Sequence, residues 1–309
     1  MSSVTAPPAI PRKHVLHGPI HWFKNPWRRP RFLQAATFGY LAWSILPVFI
    51  AVLFSFNSGR SRSTWQGFSL RWWYQDEFDS LWTDVALRSA MFQTFRLATA
   101  TVLLAVPIGT AFALGIDRWH GRLPRTADFT MLLQFVVPEL ILSIALFLLF
   151  TKLLEMSPGN LLIPLGTGAQ IIGLTTFQLA YAVIIVRARL LSIGPEYEEA
   201  AMDLGATPGQ ALCRVLLPLL APAIMASAVL VFADAVDNFV TVRYLSGPAS
   251  SEPLSVKIYS AARSSPTPAV NAAATVMLIT TLLVIGVGWV FSKRWSRGQK
   301  TDAAAFTGI

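Results

Sequence analysis

Cysteine is almost absent from this chain: Cys213 is the only one in 309 residues. That excludes an internal disulfide framework and any multi-cysteine metal site. Charge is scarce too. Only 13% of residues are Asp, Glu, Lys or Arg and 54% are hydrophobic, which excludes a soluble domain and indicates a polytopic membrane protein. The pattern G-x-x-x-x-G-K-[ST] occurs nowhere, so no P-loop is present to cradle ATP phosphates. Gly166-Thr167-Gly168 lacks a third glycine at dinucleotide spacing and follows no strand. Neither a Ser-His-Asp arrangement nor HExxH is recognisable, and the chain reads as a non-enzyme with no catalytic site, no cofactor and no metal of its own. His14, His17 and His21 have loose metal-like spacing, but they lie among Pro, Gly and basic residues, where a solvated tail accounts for them.

What the chain does have is long apolar runs. Six stretches are long enough to cross the hydrocarbon core, at 33–54, 90–116, 128–150, 169–190, 217–237 and 272–292. The expectation is an all-α membrane protein with six transmembrane helices. A basic tail at 1–32 precedes the membrane domain at 33–292, and a second tail at 293–309 follows it. The first 30 residues contain no apolar h-region, so they read as a cytoplasmic tail and not as a cleavable signal peptide.

The formal net charge of +9 invites a nucleic-acid reading, but its distribution argues against one. Arg12, Lys13, Lys24, Arg28, Arg29 and Arg31 crowd the N-terminal tail. Arg118, Arg122 and Arg125 lie in the loop at 117–127, and Lys293, Arg294, Arg297 and Lys300 in the C-terminal tail. These groups flank alternate spans, which is the positive-inside pattern. It predicts both termini in the cytoplasm, with 55–88 and 240–271 outside. The loop between the fourth and fifth spans, flanked by Arg187, Arg189 and Arg214, then falls inside.

That loop, PEYEEAAMDLGATPGQALCRVLLP at 195–218, is the most distinctive stretch of the chain. Gly194-Pro195 breaks the preceding span, and Pro195 suits the first position of a new helix. Glu196, Glu198 and Glu199 follow in its first turns, where the helix dipole favours negative charge. Tyr197, Ala200, Ala201 and Leu204 obey the i, i+3, i+4, i+7 rule and form one apolar face. Gly205 is placed to end the helix in a left-handed turn. Thr207 then caps a second helix with Pro208 in its first turn. The spacing predicts a short, rigid helix-turn-helix that a partner can grip.

The same residues resemble the signature of bacterial ABC importer permeases. That signature is Glu-Ala-Ala, three residues, Gly, nine residues, Ile, one residue, Leu-Pro, on a cytoplasmic loop. Glu199-Ala200-Ala201, Gly205, Val215 and Leu217-Pro218 stand at the family spacing, with Val in place of Ile. Three further stretches, Phe54–Asn57, Trp65–Trp72 and Leu254–Ser260, are similar to the second permease subunit of spermidine/putrescine importers. Asp237-Asn238-Phe239 sits where those proteins tend to carry Asp-Asp-Phe. The resemblance covers roughly 33–292. It implies the transmembrane domain of a type I ABC importer in the bacterial inner membrane. It also implies cytoplasmic ATPase subunits that bind ATP and Mg2+, a second and different permease, and an external solute-binding protein. Residues 195–218 would couple ATPase movement to the spans, which then alternate access. A self-contained secondary transporter, or an importer of another small solute, is the competing reading.

Two other features bear on the solute. Leu70, Trp73, Tyr74, Glu77, Phe78 and Leu81 fall at helical spacing, which predicts a short aromatic helix at the outer surface, either an interfacial anchor or a dock for the binding protein. Glu139, Asp234 and Asp237 lie within or at the end of apolar runs. A carboxylate near the bilayer centre costs about 2.5–3.5 kcal/mol on insertion scales, so it faces the bundle or a watery path. Four arrangements meet that demand: a route for a polycation, pairing with Arg96 or backbone groups, placement at the interface and, for Glu139, a protonated structural hydrogen-bonding role.

Overall fold

A backbone crossing hydrocarbon must satisfy its own polar groups, and a helix does so locally. The computed structural model describes residues 31–61, 64–119, 121–156, 164–263 and 267–306. Along them run α1 (Arg31–Phe54), α2 (Val85–Arg118), α3 (Arg122–Val136), α4 (Glu139–Met156), α5 (Thr167–Ile193) and α6 (Glu196–Asp203). Then follow α7 (Pro208–Ala211), α8 (Leu217–Asp237), α9 (Val240–Leu245), α10 (Leu254–Arg263) and α11 (Pro268–Phe306). The only β pairing among the described residues is an isolated antiparallel bridge between Asn57 and Phe68. The architecture is all-α. The basic tail expected over 1–32 lies, up to residue 30, outside the described residues.

The chain divides into two compact units, 1–50 and 51–309. The described part of the first is the apolar run of α1, with Pro47 inside it. Thr37 Oγ1 donates there to the Leu33 carbonyl at 2.8 Å, a bond that hides its hydroxyl from lipid.

Five single helices are long and apolar enough to span a membrane: Phe32–Phe54, Val85–Arg118, Thr167–Ile193, Pro208–Asp237 and Pro268–Arg294. The sixth expected span, 128–150, is broken. Phe129–Val136 and Glu139–Lys152 meet at a bend of 105°. Pro138 is the cause. It disfavours helical geometry in the residue before it, and Val137 is extended at φ −73, ψ 122. The fifth span also begins earlier than its apolar run: α7 continues through a π turn, Leu212–Leu216, into α8. The last helix passes the expected end at 292 and reaches Phe306.

In the second unit α2, α5 and α8 pack against one another at the centre. Small residues permit the close approach that membrane helices need. A Cβ at Gly109 would lie 2.6 Å from Ala182 Cβ, so α2 and α5 touch nearly backbone to backbone. Fully buried Gln170 ties the far end together. Its Oε1 accepts from Gln93 Nε2 at 3.1 Å, and its Nε2 reaches the Val242 carbonyl at 3.1 Å and Ser246 Oγ at 2.9 Å. Helices α2, α5 and α9 are thereby joined by bonds that are strong because water is excluded.

The aromatic helix expected over 70–81 does not form. One π turn, Arg71–Gln75, is followed by extended Asp76. Asp76 competes with the helix for backbone donors, since its Oδ1 accepts from Phe78 N at 3.1 Å and Asp79 N at 3.0 Å. Trp72 is fully buried, and its Nε1 donates to the Asn57 carbonyl at 2.6 Å. Phe56 stacks between Phe68 and Trp73. The aromatics of this loop thus divide: Trp72 is folded inward, Phe56, Phe68 and Trp73 stack on one another, and Tyr74 and Phe78 stay exposed.

Candidate functional site: a bare coupling element and a polar cluster among the helices

The first site is the stretch after α5. Glu196, Glu198 and Glu199 occupy the first turn of α6. Gly205 follows with φ +90, a conformation that L side chains adopt only with strain. Thr207 accepts from Gln210 N at 3.4 Å and donates its own N–H to Gln210 Oε1 at 3.0 Å, closing a capping box at the start of α7. The two ends of the stretch differ. Glu199, Ala200 and Gly205 are exposed and Ala201 is half-buried. On the apolar face Tyr197 is 57% exposed and Leu204 is 91% exposed. Val215 lies half-buried in the π turn, and Leu217 and Pro218 open α8. Around them Leu216 and Leu220 are buried with Ala113 of α2 and Val183, Val186 and Leu190 of α5. One half of the stretch is anchored in the bundle and the other half projects. The projecting half packs against the π turn and, among the described residues, is tied to the end of α2 by an ion pair from Arg118 to Glu198.

The second site lies where two helix breaks meet. Glu139 is the first residue of α4, directly after the break at Pro138, where the helix dipole favours a carboxylate. Asn238 is the C-cap of α8, directly before α9. Glu139 Oε1 accepts from Asn238 Nδ2 at 2.6 Å and from Thr241 Oγ1 at 2.8 Å. Ser143 completes the cluster, with its Oγ 3.0 Å from Thr241 Oγ1. One turn back along α8, Asp234 Oδ2 accepts from Gln178 Nε2 of α5 at 3.1 Å. The backbone N–H of Asn238 donates to the Asp234 carbonyl at 2.9 Å, so Asp234 lies one turn from the amide that holds Glu139.

Asn238 thus links Glu139 to the turn of α8 that carries Asp234. Asp237 is exposed and lines a cavity of about 310 Å3 with Ser255 and Ile258 of α10 and Met277 and Thr281 of α11. Arg96 is exposed, and among the described residues neither it nor any other basic group forms an ion pair with Glu139, Asp234 or Asp237. Pairing with Arg96 is not how this chain accommodates its acids. Gln178 carries no charge and so does not stand out in an apolar span as the acids do. Its signal was present, since Gln170 and Gln178 are two amides on one apolar span.

Residues 105–297 match the model of the family described as binding-protein-dependent transport system inner membrane component. The chain belongs to that family. It is a permease, a multi-pass inner-membrane component of an ABC importer, and ATP hydrolysis resides on a separate subunit. The permease is 31% identical to the putrescine transport system permease protein PotI of Escherichia coli strain K12, over 90% of this chain and 95% of that protein. It is 30% identical to the spermidine/putrescine transport system permease protein PotC of the same strain, over 84% of this chain and 94% of that protein. A chain of a bacterial ABC transporter that imports the acidic polysaccharide alginate shares the fold, with a TM-score of 0.67 at 18% identity, over 85% of this permease and 95% of that chain. Membership of a binding-protein-dependent transport family does not favour a self-contained secondary transporter.

Proposed function

We propose that this permease carries a polyamine or a similar small organic cation into the cell. The observation that supports this best is the set of Glu139, Asp234 and Asp237, which lie in or beside the spans without a basic partner among the described residues. Acids in that position mark a solute path or a proton relay. The polyamine names of PotI and PotC favour the solute path. A route for a flexible polycation needs spaced acceptors that admit it and still release it.

The remaining parts follow from the bare element. Tyr197, Ala200, Ala201 and Leu204 dock in a cleft of the ATPase, with Glu199 on the rim, and Gly205 sets the angle between α6 and α7. Val215, Leu217 and Pro218 hand the movement to the bundle. ATP and Mg2+ bind the ATPase subunits, a different permease completes the path, and an external binding protein delivers the solute. Both termini and residues 195–210 face the cytoplasm, as the basic loops direct.

Uptake of labelled putrescine or spermidine by the assembled importer in proteoliposomes tests the solute. Saturable, ATP-dependent uptake is expected. Transport of a neutral sugar without response to polyamines would remove the polyamine reading and leave the importer assignment standing. Orientation is tested with Cys213 replaced and a cysteine placed at 203. An impermeant thiol reagent added outside intact cells should not label it, and labelling from outside would overturn the topology.

A further inference from the structure

The polar cluster contains more than acids. Gln178 and Asn238 each donate an amide N–H to a carboxylate, at 3.1 Å to Asp234 and 2.6 Å to Glu139. An amide has one carbonyl acceptor beside its NH2 donors, and here the nitrogen of each faces a carboxylate oxygen. Their carbonyl oxygens, Gln178 Oε1 and Asn238 Oδ1, are consequently left buried with no hydrogen-bond donor. Gln178 is fully buried and Asn238 is 8% exposed, so bulk solvent does not serve these atoms. Buried polar atoms are nearly always paired; besides the hydroxyls of Thr101, Thr110 and Thr175, the unserved atoms among the described residues include these two oxygens, both on amides that hold a carboxylate.

The cluster lacks N–H donors and positive charge together. A primary ammonium supplies both, with three donors on one cation. A metal ion fits less well: among the described residues no three His, Cys, Asp or Glu side chains converge as metal ligands. The acceptors are instead spread over α4, α5 and α8, with Glu139 Oε1 already occupied by two donors. A quaternary ammonium has the charge but no N–H, and would leave both amide oxygens unserved.

We infer that Gln178 and Asn238 are specificity residues of a binding site for an alkylammonium group, in which their carbonyl oxygens accept the solute's N–H donors while Asp234 and Glu139 supply the charge. The inference rests on the proposal that a cationic solute passes this face of the bundle. It adds that the site counts N–H donors as well as charge. Transient binding is sufficient, since a transported solute must also leave.

The test uses the assembled importer in lipid nanodiscs. Glu139 and Asp234 are modified with a carbodiimide, and their labelling is read by peptide mass spectrometry. The probes are 1,4-diaminobutane, its fully N-methylated counterpart and sodium chloride at matched ionic strength. The diamine should protect both carboxylates saturably, and the methylated probe should need at least about tenfold more, the scale of one lost hydrogen bond to a charged group. Gln178→Leu and Asn238→Leu should each raise the protecting diamine concentration about tenfold and close the gap between the probes. The two-probe comparison on the unaltered protein decides the matter even where a variant does not assemble. Equal protection by both amines, or by sodium, would overturn the inference. Polyamine uptake by the same preparation separates the two levels. Uptake without any protection removes this site and leaves the proposed function, whereas no polyamine uptake removes the function beneath it.

Discussion

Leu204, at the end of α6, is 91% exposed, whereas Leu220, in the helix that follows, is fully buried. Around Leu204 an apolar face is bare, Gly205 turns the chain with open space about it, and among the described residues one ion pair reaches back to α2. Around Leu220 the helices interdigitate, and further along α8 Asp234 is bonded to Gln178 of α5, while Glu139 of α4 is bonded to Asn238 at the end of α8. The difference separates two tasks. A surface that must seize another protein keeps its apolar groups ready and its backbone rigid. A surface that a solute must cross holds its charges within the bundle and leaves only a few acceptors unserved.

The largest effect should come from Gly205→Val. Nothing lies within 4 Å of a Cβ built there, so no clash is involved. The penalty is conformational, at φ +90, roughly 1–2 kcal/mol for an ordinary side chain and more for a β-branched one. The turn between α6 and α7 should shift, and uptake per inserted molecule should fall at least about tenfold, the factor of 1.4 kcal/mol. Membrane-inserted protein, measured alongside, should remain at the parental level. Gly109→Leu tests the opposite region and should fail in the opposite way. Its Cβ would meet Ala182 Cβ at 2.6 Å, forcing α2 from α5 at a cost of about 1–3 kcal/mol. The amount of folded, detergent-stable protein should drop, while the molecules that survive should still bind the ATPase.

A smaller effect concerns the contact between the regions. Arg118→Glu breaks the pair with Glu198, which is partly exposed, so the cost should be about 0–1 kcal/mol. Uptake should weaken modestly, more at low salt than at high salt, and Arg118→Glu with Glu198→Arg should restore it. The smallest effect belongs to the 55–84 loop. The backbone N–H of Asp79, then the Arg71 guanidinium and the backbone N–H of Phe78, hold the Asp76 carboxyl down from the ordinary 3.8 to about 2. A folded value below the unfolded one adds stability that is fully present above about pH 4 and fades as pH falls towards 2. Tryptophan fluorescence of Trp72 and Trp73 should follow that fading, and Asp76→Asn should abolish the pH dependence.

Much of the bare element was legible in the sequence because its signals are local. Pro195, the run of glutamates, Gly205 and the Thr207 cap each act within one or two turns, so spacing suffices to place them. The helix break at 137–138 was present in the letters as Val-Pro but concealed by an unbroken apolar run. Hydropathy measures length and not geometry. The 70–81 stretch misled for the converse reason. Its period was helical, yet the Asp76 side chain took the backbone donors and Trp72 turned inward to the Asn57 carbonyl. The amide oxygens of Gln178 and Asn238 could not have been read at all. Whether a buried amide is satisfied depends on which helix faces it, and that is decided by packing between segments far apart in the chain.

The division of tasks is tested most directly by the ATPase subunit that co-purifies with two variants of the importer. Leu204→Asp places a charge on the bare apolar face, and Glu139→Gln removes one from the polar cluster. The account predicts that Leu204→Asp inserts normally and loses the ATPase, whereas Glu139→Gln retains a full complement of ATPase and loses uptake. Full ATPase on Leu204→Asp, or its release by Glu139→Gln, would contradict it.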